Sequence, residues 1–364
     1  MGKPFDLETG PLMRLALIEE KDNSFTLRFA IHHVIFDEHS AALLVQDLFR
    51  LYMVNAGYKK RDEIPVTAQY SAYAKWEARH LAAHGNKLAA FWKKKLSGRL
   101  PALQLPFSRS RPKERSFEGE QLIWEFSSEQ ANSISRMAEE SGCTPFMILL
   151  SIVYFNLYHA SGATEFIIGT SISQRDRPEF QNLIGLCLNQ LPIRVQINQD
   201  STLSEFFQYV MQELIESYSH KEYPLDLMAI DLNLARNPSR SPLFDVTVDM
   251  GLPTVAVSEQ VGVPFSMALE PQVQTTSKFD FSMHFDYQKG LLVSHLVFNT
   301  ALFHKDDMRD WMMAYGEIVT QLHELKNMSL QRAKNKIDHH RKSVLLLEQQ
   351  RTKKMRMTSF GGKP

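Results

Sequence analysis

The chain has 364 residues, the length of two or three domains at roughly 100–200 residues each. Hydrophobic residues make up 44% and charged residues 23%. This composition is typical of a folded globular protein and excludes a wholly disordered chain, a collagen and a coiled-coil rod. Lys+Arg and Asp+Glu both total 41. Zero formal charge argues against a dedicated nucleic-acid binder, which is normally basic overall.

The charges are unevenly distributed along the chain. Residues 326–364 hold 11 Lys/Arg against Asp338 and Glu348, whereas residues 1–325 hold 30 Lys/Arg against 39 Asp/Glu. We therefore predict an acidic body followed by a basic linker or tail at 326–364. Such a segment is either solvated or in contact with an acidic partner.

The two cysteines, Cys143 and Cys187, are too few for a disulfide framework or a four-cysteine zinc site. The N-terminus has no apolar signal region, and no apolar run approaches 18 residues, so the sequence predicts no membrane contact. These features together predict a protein of the reducing cytoplasm.

The first predicted elements surround a pair of histidines. Residues 11–31 read as a β-hairpin around the turn at 21–24, and the apolar spacing becomes helical over 41–53. His32 and His33 lie where the second strand ends. Functional groups concentrate at such positions, because a rigid strand holds them while the following loop leaves room for a ligand.

Helices and strands then alternate along the rest of the chain. A helical pattern over 66–98 is followed by a proline-containing stretch, where we place a boundary between a domain at 1–100 and a second one at 101–325. Strands are predicted at 121–126, 166–170, 188–197, 244–250, 279–287 and 291–298. Helices are predicted at 129–140, 145–159, 203–218 and 304–325. The predicted N-terminal caps of the first three are Ser127 or Ser128, Thr144 followed by Pro145, and Ser201 or Thr202. The fold class is therefore α/β or mixed α+β.

The segment His32-His33-Val34-Ile35-Phe36-Asp37 is the strongest local motif, and three interpretations compete. The first is a purely structural cluster at the end of a strand. The second is a metal site formed by His33, Asp37 and His39, although no further ligand is spaced nearby. The third is acyl transfer, with a histidine as general base and Asp37 locking the loop through an arginine. This third interpretation needs no serine or cysteine nucleophile, and the chain has no G-x-S-x-G motif.

Over residues 5–325 the chain resembles the condensation domains of nonribosomal peptide synthetases. Residues 5–14 resemble the stretch that precedes the HHxxxD motif of that family. Seven segments from His32 onward resemble family motifs in family order: residues 32–37, 70–76, 144–147, 168–170, 184–190, 223–226 and 236–244. The ordered set is far more specific than any single match.

The resemblance implies two lobes like those of chloramphenicol acetyltransferase, with the active site at their junction and the N-terminal lobe incomplete. It implies amide formation between a donor acyl or peptidyl thioester and an aminoacyl acceptor. Both would be carried on the phosphopantetheine arms of partner carrier proteins, with no cofactor on this chain. By position, His33 would be catalytic, with His32 and Asp37 as structural support and Arg175 or Arg177 as the partner of Asp37.

Two further positions bear on the substrate tunnel. Asn189 would line the junction of the lobes, and Glu38 stands where the family has glycine, so its side chain would narrow the tunnel. The family's roughly hundred N-terminal residues have no counterpart here, which predicts that Met1 is a wrong start, that a separate chain supplies them, or that the chain is a remnant. Neighbouring synthetase domains are further expected partners. The alternatives are an inactive fragment or non-catalytic carrier-binding module, and an epimerisation domain.

Overall fold

The computed structural model describes residues 3–21, 24–58, 60, 68–235, 237–251, 273–288 and 290–343. Its strands are β1 (Met13–Glu19), β2 (Phe25–Ile31), β3 (Gly119–Glu125), β4 (Glu165–Ser173), β5 (Leu188–Gln196), β6 (Val246–Met250), β7 (Phe281–Gln288) and β8 (Leu291–Asn299). Its helices are α1 (Glu38–Asn55), α2 (Tyr70–Lys95), α3 (Ser128–Ser141), α4 (Pro145–Ser161), α5 (Leu203–Tyr218), α6 (Leu225–Asp231), α7 (Lys305–Thr320), α8 (Leu322–Leu325) and α9 (330–343).

The first lobe consists of the β1–β2 hairpin and helix α1. The strands are antiparallel, with Met13 opposite Ile31, which confirms the predicted hairpin. Among the described strands they pair only with each other, so both outer edges of this sheet are open. One face of β1 presents Leu15 and Leu17 to solvent with 52% and 68% of their surface exposed.

The second lobe is built on a six-stranded sheet in the order β3-β8-β7-β6-β4-β5. Strand β6 runs parallel to β4 and β7, and the other pairs are antiparallel. Helix α4 is buried along its whole middle, from Ile148 to Tyr158. The mixed α/β class predicted from the alternation of elements is confirmed.

Helix starts follow the predicted caps. Thr144 accepts a hydrogen bond from the backbone of Met147, and Pro145 occupies the first turn of α4. Ser127 and Thr202 cap α3 and α5 in the same way. These side-chain oxygens satisfy backbone N–H groups that the helix itself cannot. Among the described residues no single helix is long and apolar enough to cross a membrane. In the same part of the chain, α3 and α4 together are long and apolar enough, but the pair is bent by 103° at the break between the two helices.

The stretch between α2 and β3 is tied to the second lobe by ion pairs. Arg111 pairs with Asp280, and Arg240 pairs with Asp245, whose Oδ2 also accepts from the Leu103 amide at 3.3 Å. Burial, reinforced by the negative charge of Asp280, raises the pKa of Asp245 to about 6. The proline-containing stretch is therefore held in place over the described residues. Arg236, the first residue of the motif at 236–244, lies outside them.

Residues 330–343 form helix α9, which the sequence analysis placed within the basic tail. Leu330, Ala333 and Ile337 have no exposed surface and pack into the main core. These residues are three and four positions apart, as expected for one face of a helix. The many charged residues of the segment obscured this pattern in the sequence. Residues 344–364 of the predicted tail lie outside the described residues, and the domain boundaries themselves stay a prediction.

Replacing Ile337 by alanine tests the packing of α9. Because the side chain is fully buried, Ile337→Ala should lower the free energy of unfolding by about 2–5 kcal/mol, measured by urea denaturation. The matched control, Arg332→Ala on the exposed face of α9, should change it by less than about 0.5 kcal/mol. Equal effects of the two variants would contradict this packing.

Candidate active site

The histidine motif folds as a tight connection between β2 and α1. The amide of His32 still donates to the Leu12 carbonyl at 2.9 Å, after which residues 33–35 form one 3-10 turn. Asp37 then caps α1 by accepting from the Ser40 amide at 2.9 Å. Both ends of the loop are therefore fixed, one by the hairpin and the other by the first turn of the helix.

His33 is exposed at the surface of this connection, and one of its ring nitrogens is engaged. Its Nδ1 lies 2.6 Å from the carbonyl oxygen of Phe36. A carbonyl can only accept a hydrogen bond, so Nδ1 carries the proton and the lone pair of the neutral ring lies on Nε2. The local backbone therefore selects the tautomer in which Nε2 can act as a base.

His32 faces its own turn. Its Nδ1 accepts a hydrogen bond from the Val34 amide at 3.1 Å, and its ring meets Phe5 edge-on at a centroid distance of 5.9 Å. These contacts brace the 3-10 turn that carries His33. A supporting role for His32 in the site stays a prediction.

Asp37 forms a buried ion pair with Arg175. The two carboxylate oxygens lie 2.7 and 2.9 Å from the guanidinium nitrogens, and both side chains are nearly inaccessible, at 2% and 4% exposure. Arg175 follows β4 in the second lobe, whereas Asp37 caps α1 in the first. Two parallel charge-assisted hydrogen bonds therefore join the lobes at a residue four positions after His33.

Ser40 completes this junction and was missed by the sequence analysis. Its hydroxyl donates to Asp37 at 2.8 Å and accepts from the Gly185 amide at 2.9 Å. Arg175 also donates to the carbonyls of Leu183 and Gly185 at 3.1 and 3.0 Å. The spacing of Asp37 and Ser40 is that of a helix cap, which is the signal that could have identified Ser40.

The electrostatics of Asp37 show how its charge is tolerated. Burial raises the pKa of Asp37. Hydrogen bonds from Arg175, the Cys187 amide and Ser40 outweigh that effect and hold the pKa below the ordinary value of 3.8. The carboxylate is therefore charged at neutral pH and contributes stability there. This contribution is lost as the pH falls through the lowered value.

Arg177, the other candidate partner of Asp37, has a different position. It pairs with Glu179 at 2.6 Å, and both side chains are about half exposed. Its guanidinium lies 5.9 Å from the ring centroid of Trp76 and 6.0 Å from that of Phe180. It lies against the ring of Trp76 on α2 and the ring of Phe180 in the 178–180 turn, and the described contacts do not pair it with Asp37.

The loop from Gly185 to Cys187 is clamped against α2. A side chain on Gly185 would overlap the ring of Tyr70, whose hydroxyl donates to the Leu186 carbonyl at 3.0 Å. Tyr73, Phe180, Leu183 and Cys187 form a small buried cluster beside it. Burial raises the pKa of the Cys187 thiol to about 12, so this cysteine stays protonated and inert.

The Asn189 side chain is directed at the loop before α6. Its Nδ2 donates to the carbonyls of Lys221 and Tyr223 at 2.8 and 2.6 Å, and its Oδ1 accepts from the Leu225 amide at 3.2 Å. This asparagine therefore holds the 221–225 segment onto β5. A direct role in lining a substrate tunnel stays a prediction.

The three residues of the metal interpretation are directed to different partners. Nδ1 of His33 contacts the Phe36 carbonyl, Asp37 is enclosed by Arg175, and Nε2 of His39 lies 2.8 Å from the Gln181 carbonyl. Within the described ranges, no group of three or more His, Cys, Asp or Glu side chains is arranged to hold a metal ion.

Comparison with known sequences places the chain in a family. Residues 1–344 match the Condensation domain. The chain is 32% identical over 286 residues to surfactin synthase subunit 1 of Bacillus subtilis (strain 168), and 27% identical over 332 residues to tyrocidine synthase 3 of Brevibacillus parabrevis. These alignments cover 77% and 90% of this chain but 8% and 5% of the relatives. The chain belongs to the condensation-domain family and spans less than a tenth of those relatives.

Solved structures share the fold at low sequence identity. The X-domain bound to OxyB from teicoplanin biosynthesis gives a TM-score of 0.78 at 20% identity, covering 90% of this chain and 74% of that chain. The condensation domain of the Monacolin K polyketide synthase MokA also gives 0.78, at 15% identity, with 90% and 76% covered. These matches confirm the chloramphenicol-acetyltransferase-like α/β fold that the motifs implied.

Neutralising Asp37 tests the central ion pair. Asp37→Asn leaves the buried Arg175 charge without a counter-charge, so it should lower the free energy of unfolding at pH 7 by about 3–5 kcal/mol. Because the pKa of Asp37 is lowered in the folded protein, the difference from wild type should shrink below about pH 4. Chemical denaturation across pH measures both effects.

The matched control is Glu179→Gln, which breaks the exposed pair with Arg177. This substitution should lower the free energy of unfolding by no more than about 1 kcal/mol. If Asp37→Asn lowered the free energy of unfolding by as little as the control does, the buried pair would not be structurally important.

Proposed function

We propose that this chain catalyses amide formation between a carrier-bound acyl or peptidyl thioester and a carrier-bound aminoacyl acceptor. The observation that carries the proposal is the fixed orientation of His33, whose Nδ1 is held by the Phe36 carbonyl while Nε2 presents a lone pair. Its loop is anchored by the buried pair of Asp37 and Arg175. Membership of the condensation-domain family supports the same conclusion.

Amide formation from a thioester requires that the two substrates be positioned and that one group accept a proton. A thioester is already activated, and an α-amine with a pKa of about 7.7–8.0 is partly uncharged near neutral pH. The amine nitrogen attacks the thioester carbonyl and gives a zwitterionic tetrahedral intermediate. Nε2 of His33 accepts the ammonium proton, and the intermediate expels the thiolate as the amide forms. Orientation of two tethered substrates supplies most of the remaining rate enhancement.

The proposed partners are a donor and an acceptor carrier protein, each presenting a phosphopantetheine arm, together with neighbouring synthetase domains. Support comes from the curated relatives, which are synthases many times longer than this chain. A solved relative of similar fold is described as a four domain nonribosomal peptide synthetase. In this proposal the arms belong to the carriers, and this chain contributes the site where they meet.

We also propose that protein from the same assembly line covers the β1–β2 hairpin. Among the described strands nothing pairs with either outer edge of the hairpin, and Met13, Leu15, Leu17 and Phe25 are all more than 40% exposed. A sheet with open edges and an apolar face tends to pair with further strands.

A non-catalytic carrier-binding module is the second candidate function. The observation that favours it is Glu38, which is charged and bulky at a position where glycine was expected, one residue after the anchoring Asp37. In that function, the fold and the carrier contacts persist while no amide forms at His33. Carrier binding by wild type, with no amide formed by either wild type or Glu38→Gly, would favour this function.

Replacing His33 tests the proposed reaction. His33→Ala should reduce the rate of amide formation by about 10²–10⁴-fold, because the proton acceptor is lost while the anchor of the loop is kept. Mass spectrometry of the acceptor-loaded carrier protein measures the product. His84→Ala, which removes an exposed histidine on α2, should leave the rate unchanged. A fully active His33→Ala variant would refute the assigned role.

A further inference from the structure

The segment before β1, residues 3–10, lies against the hairpin, and we call it the N-terminal strap. Arg14 on β1 donates hydrogen bonds from its two terminal guanidinium nitrogens to the carbonyls of Lys3 and Pro4, the second at 2.8 Å. Its guanidinium carbon also lies 4.1 Å from the centre of the Phe5 ring. Because one planar guanidinium contacts two carbonyls and a ring, the beginning of the strap is fixed against β1.

The other end of the strap is closed by a turn of its own. Asp6 accepts hydrogen bonds from the amides of Glu8 and Thr9 at 2.9 and 3.2 Å, and its carbonyl accepts from the Gly10 amide at 3.0 Å. The hydroxyl of Thr9, followed by the two amides, lowers the pKa of Asp6, so the carboxylate that holds the turn is charged at neutral pH. Such local side-chain bonds stabilise a turn. The strap is therefore held at both of its ends.

Between these two ends, the strap contacts the first histidine of the pair. The half-buried ring of Phe5 meets the His32 ring at a centroid distance of 5.9 Å and an interplanar angle of 84°. Because Nδ1 of His32 accepts from the Val34 amide, the proton of its neutral ring lies on Nε2. His33 has its proton on Nδ1 instead. Two adjacent imidazoles are thus held in opposite tautomers within one turn.

The turn connects the ring of His32 to the ring of His33. The Ile35 amide donates to the His32 carbonyl at 3.1 Å, and the Phe36 amide donates to the His33 carbonyl at 3.3 Å. If the His32 ring moved, the Val34 amide would lose its acceptor and the turn would loosen. The Phe36 carbonyl that orients His33 lies at the end of this turn. An unbroken series of direct contacts therefore leads from the strap to the second histidine.

We propose that Phe5 and Arg14 are positioning residues, which act through His32 to keep His33 in the tautomer that accepts the proton during amide formation. We call this series of contacts the brace. The inference rests on the proposed amide-forming function. In it, neither Phe5 nor Arg14 touches the substrates. Since a misplacement of about 1 Å can lower a rate by about 100-fold, a brace on the turn that carries the base is able to control kcat.

Hydrogen exchange at the Val34 amide tests the brace without any turnover, because exchange reports local opening. Phe5→Ala should release the His32 ring, so the Val34 amide should exchange about fivefold faster than in wild type, as expected when one hydrogen bond is weakened. Arg14→Lys keeps the charge but loses the planar fork that holds two carbonyls, and it should act in the same direction. Mass spectrometry with fragmentation to single residues measures the exchange in the full chain.

The controls separate the brace from a general loosening of the first lobe. Leu7→Ala removes an exposed side chain of the same strap and should leave exchange at Val34 within about twofold of wild type. The Cys187 amide, which donates to Asp37 at 2.9 Å, is an internal reference whose exchange should be the same in every variant. If Val34 and Cys187 both exchanged faster in Phe5→Ala, the whole junction would be loosened and the brace would be refuted.

Nitrogen-15 NMR of the imidazole rings measures the tautomer of His33 directly. Wild type should show the proton on Nδ1, and Phe5→Ala should show a mixture of the two tautomers. In the amide assay, Phe5→Ala should lower kcat by about tenfold and leave KM for both carrier substrates within about twofold of wild type.

An unchanged His33 tautomer in Phe5→Ala, or unchanged exchange at Val34, would overturn the positioning role. So would an unchanged kcat in a variant whose tautomer has shifted. If wild type forms no amide while the exchange and the tautomer respond as expected, the brace stands and the proposed function fails.

Discussion

The buried pair of Asp37 and Arg175 is the interaction on which the site depends. It removes two full charges from water, which is costly unless each is matched and every remaining donor or acceptor is satisfied. Here the carboxylate also receives the Ser40 and Cys187 amides, and the guanidinium also serves two carbonyls of the 183–185 segment. Such a network has few alternative arrangements, so the first turn of α1 is fixed relative to the second lobe.

This constraint explains how a residue as exposed as His33 can be well positioned. Its loop is held at one end by the hairpin and at the other by the capped helix. A hydrogen bond to the Phe36 carbonyl orients its ring. The first lobe buries little apolar surface of its own, and α1 has only Ser40, Phe49 and Met53 fully buried. Polar contacts to the second lobe therefore substitute for a hydrophobic core around the histidine.

Local sequence patterns predicted most of the elements because the signals that define them are short-range. Alternating and helical spacing of apolar residues identified the hairpin, α5 and the three strands β6 to β8 within a few residues. Caps such as Thr144 with Pro145 located helix starts closely. The short helix α6 and the charged helix α9 were missed, since one is only seven residues long and the other owes its stability to burial of Leu330 and Ile337.

By itself, the sequence determined the fold class, the family and the short loop that carries His32, His33 and Asp37. Each of these depends on residues that are close together in the sequence, or on motifs that follow one another in the same order as in the family. Only the tertiary structure decided that Arg175 and not Arg177 meets Asp37, 138 residues away. It also decided that Asn189 holds the 221–225 segment and that the carboxylate of Glu38 lies beside Gly251. These contacts depend on how sheet register and lobe packing bring distant segments together, and no local pattern encodes that geometry.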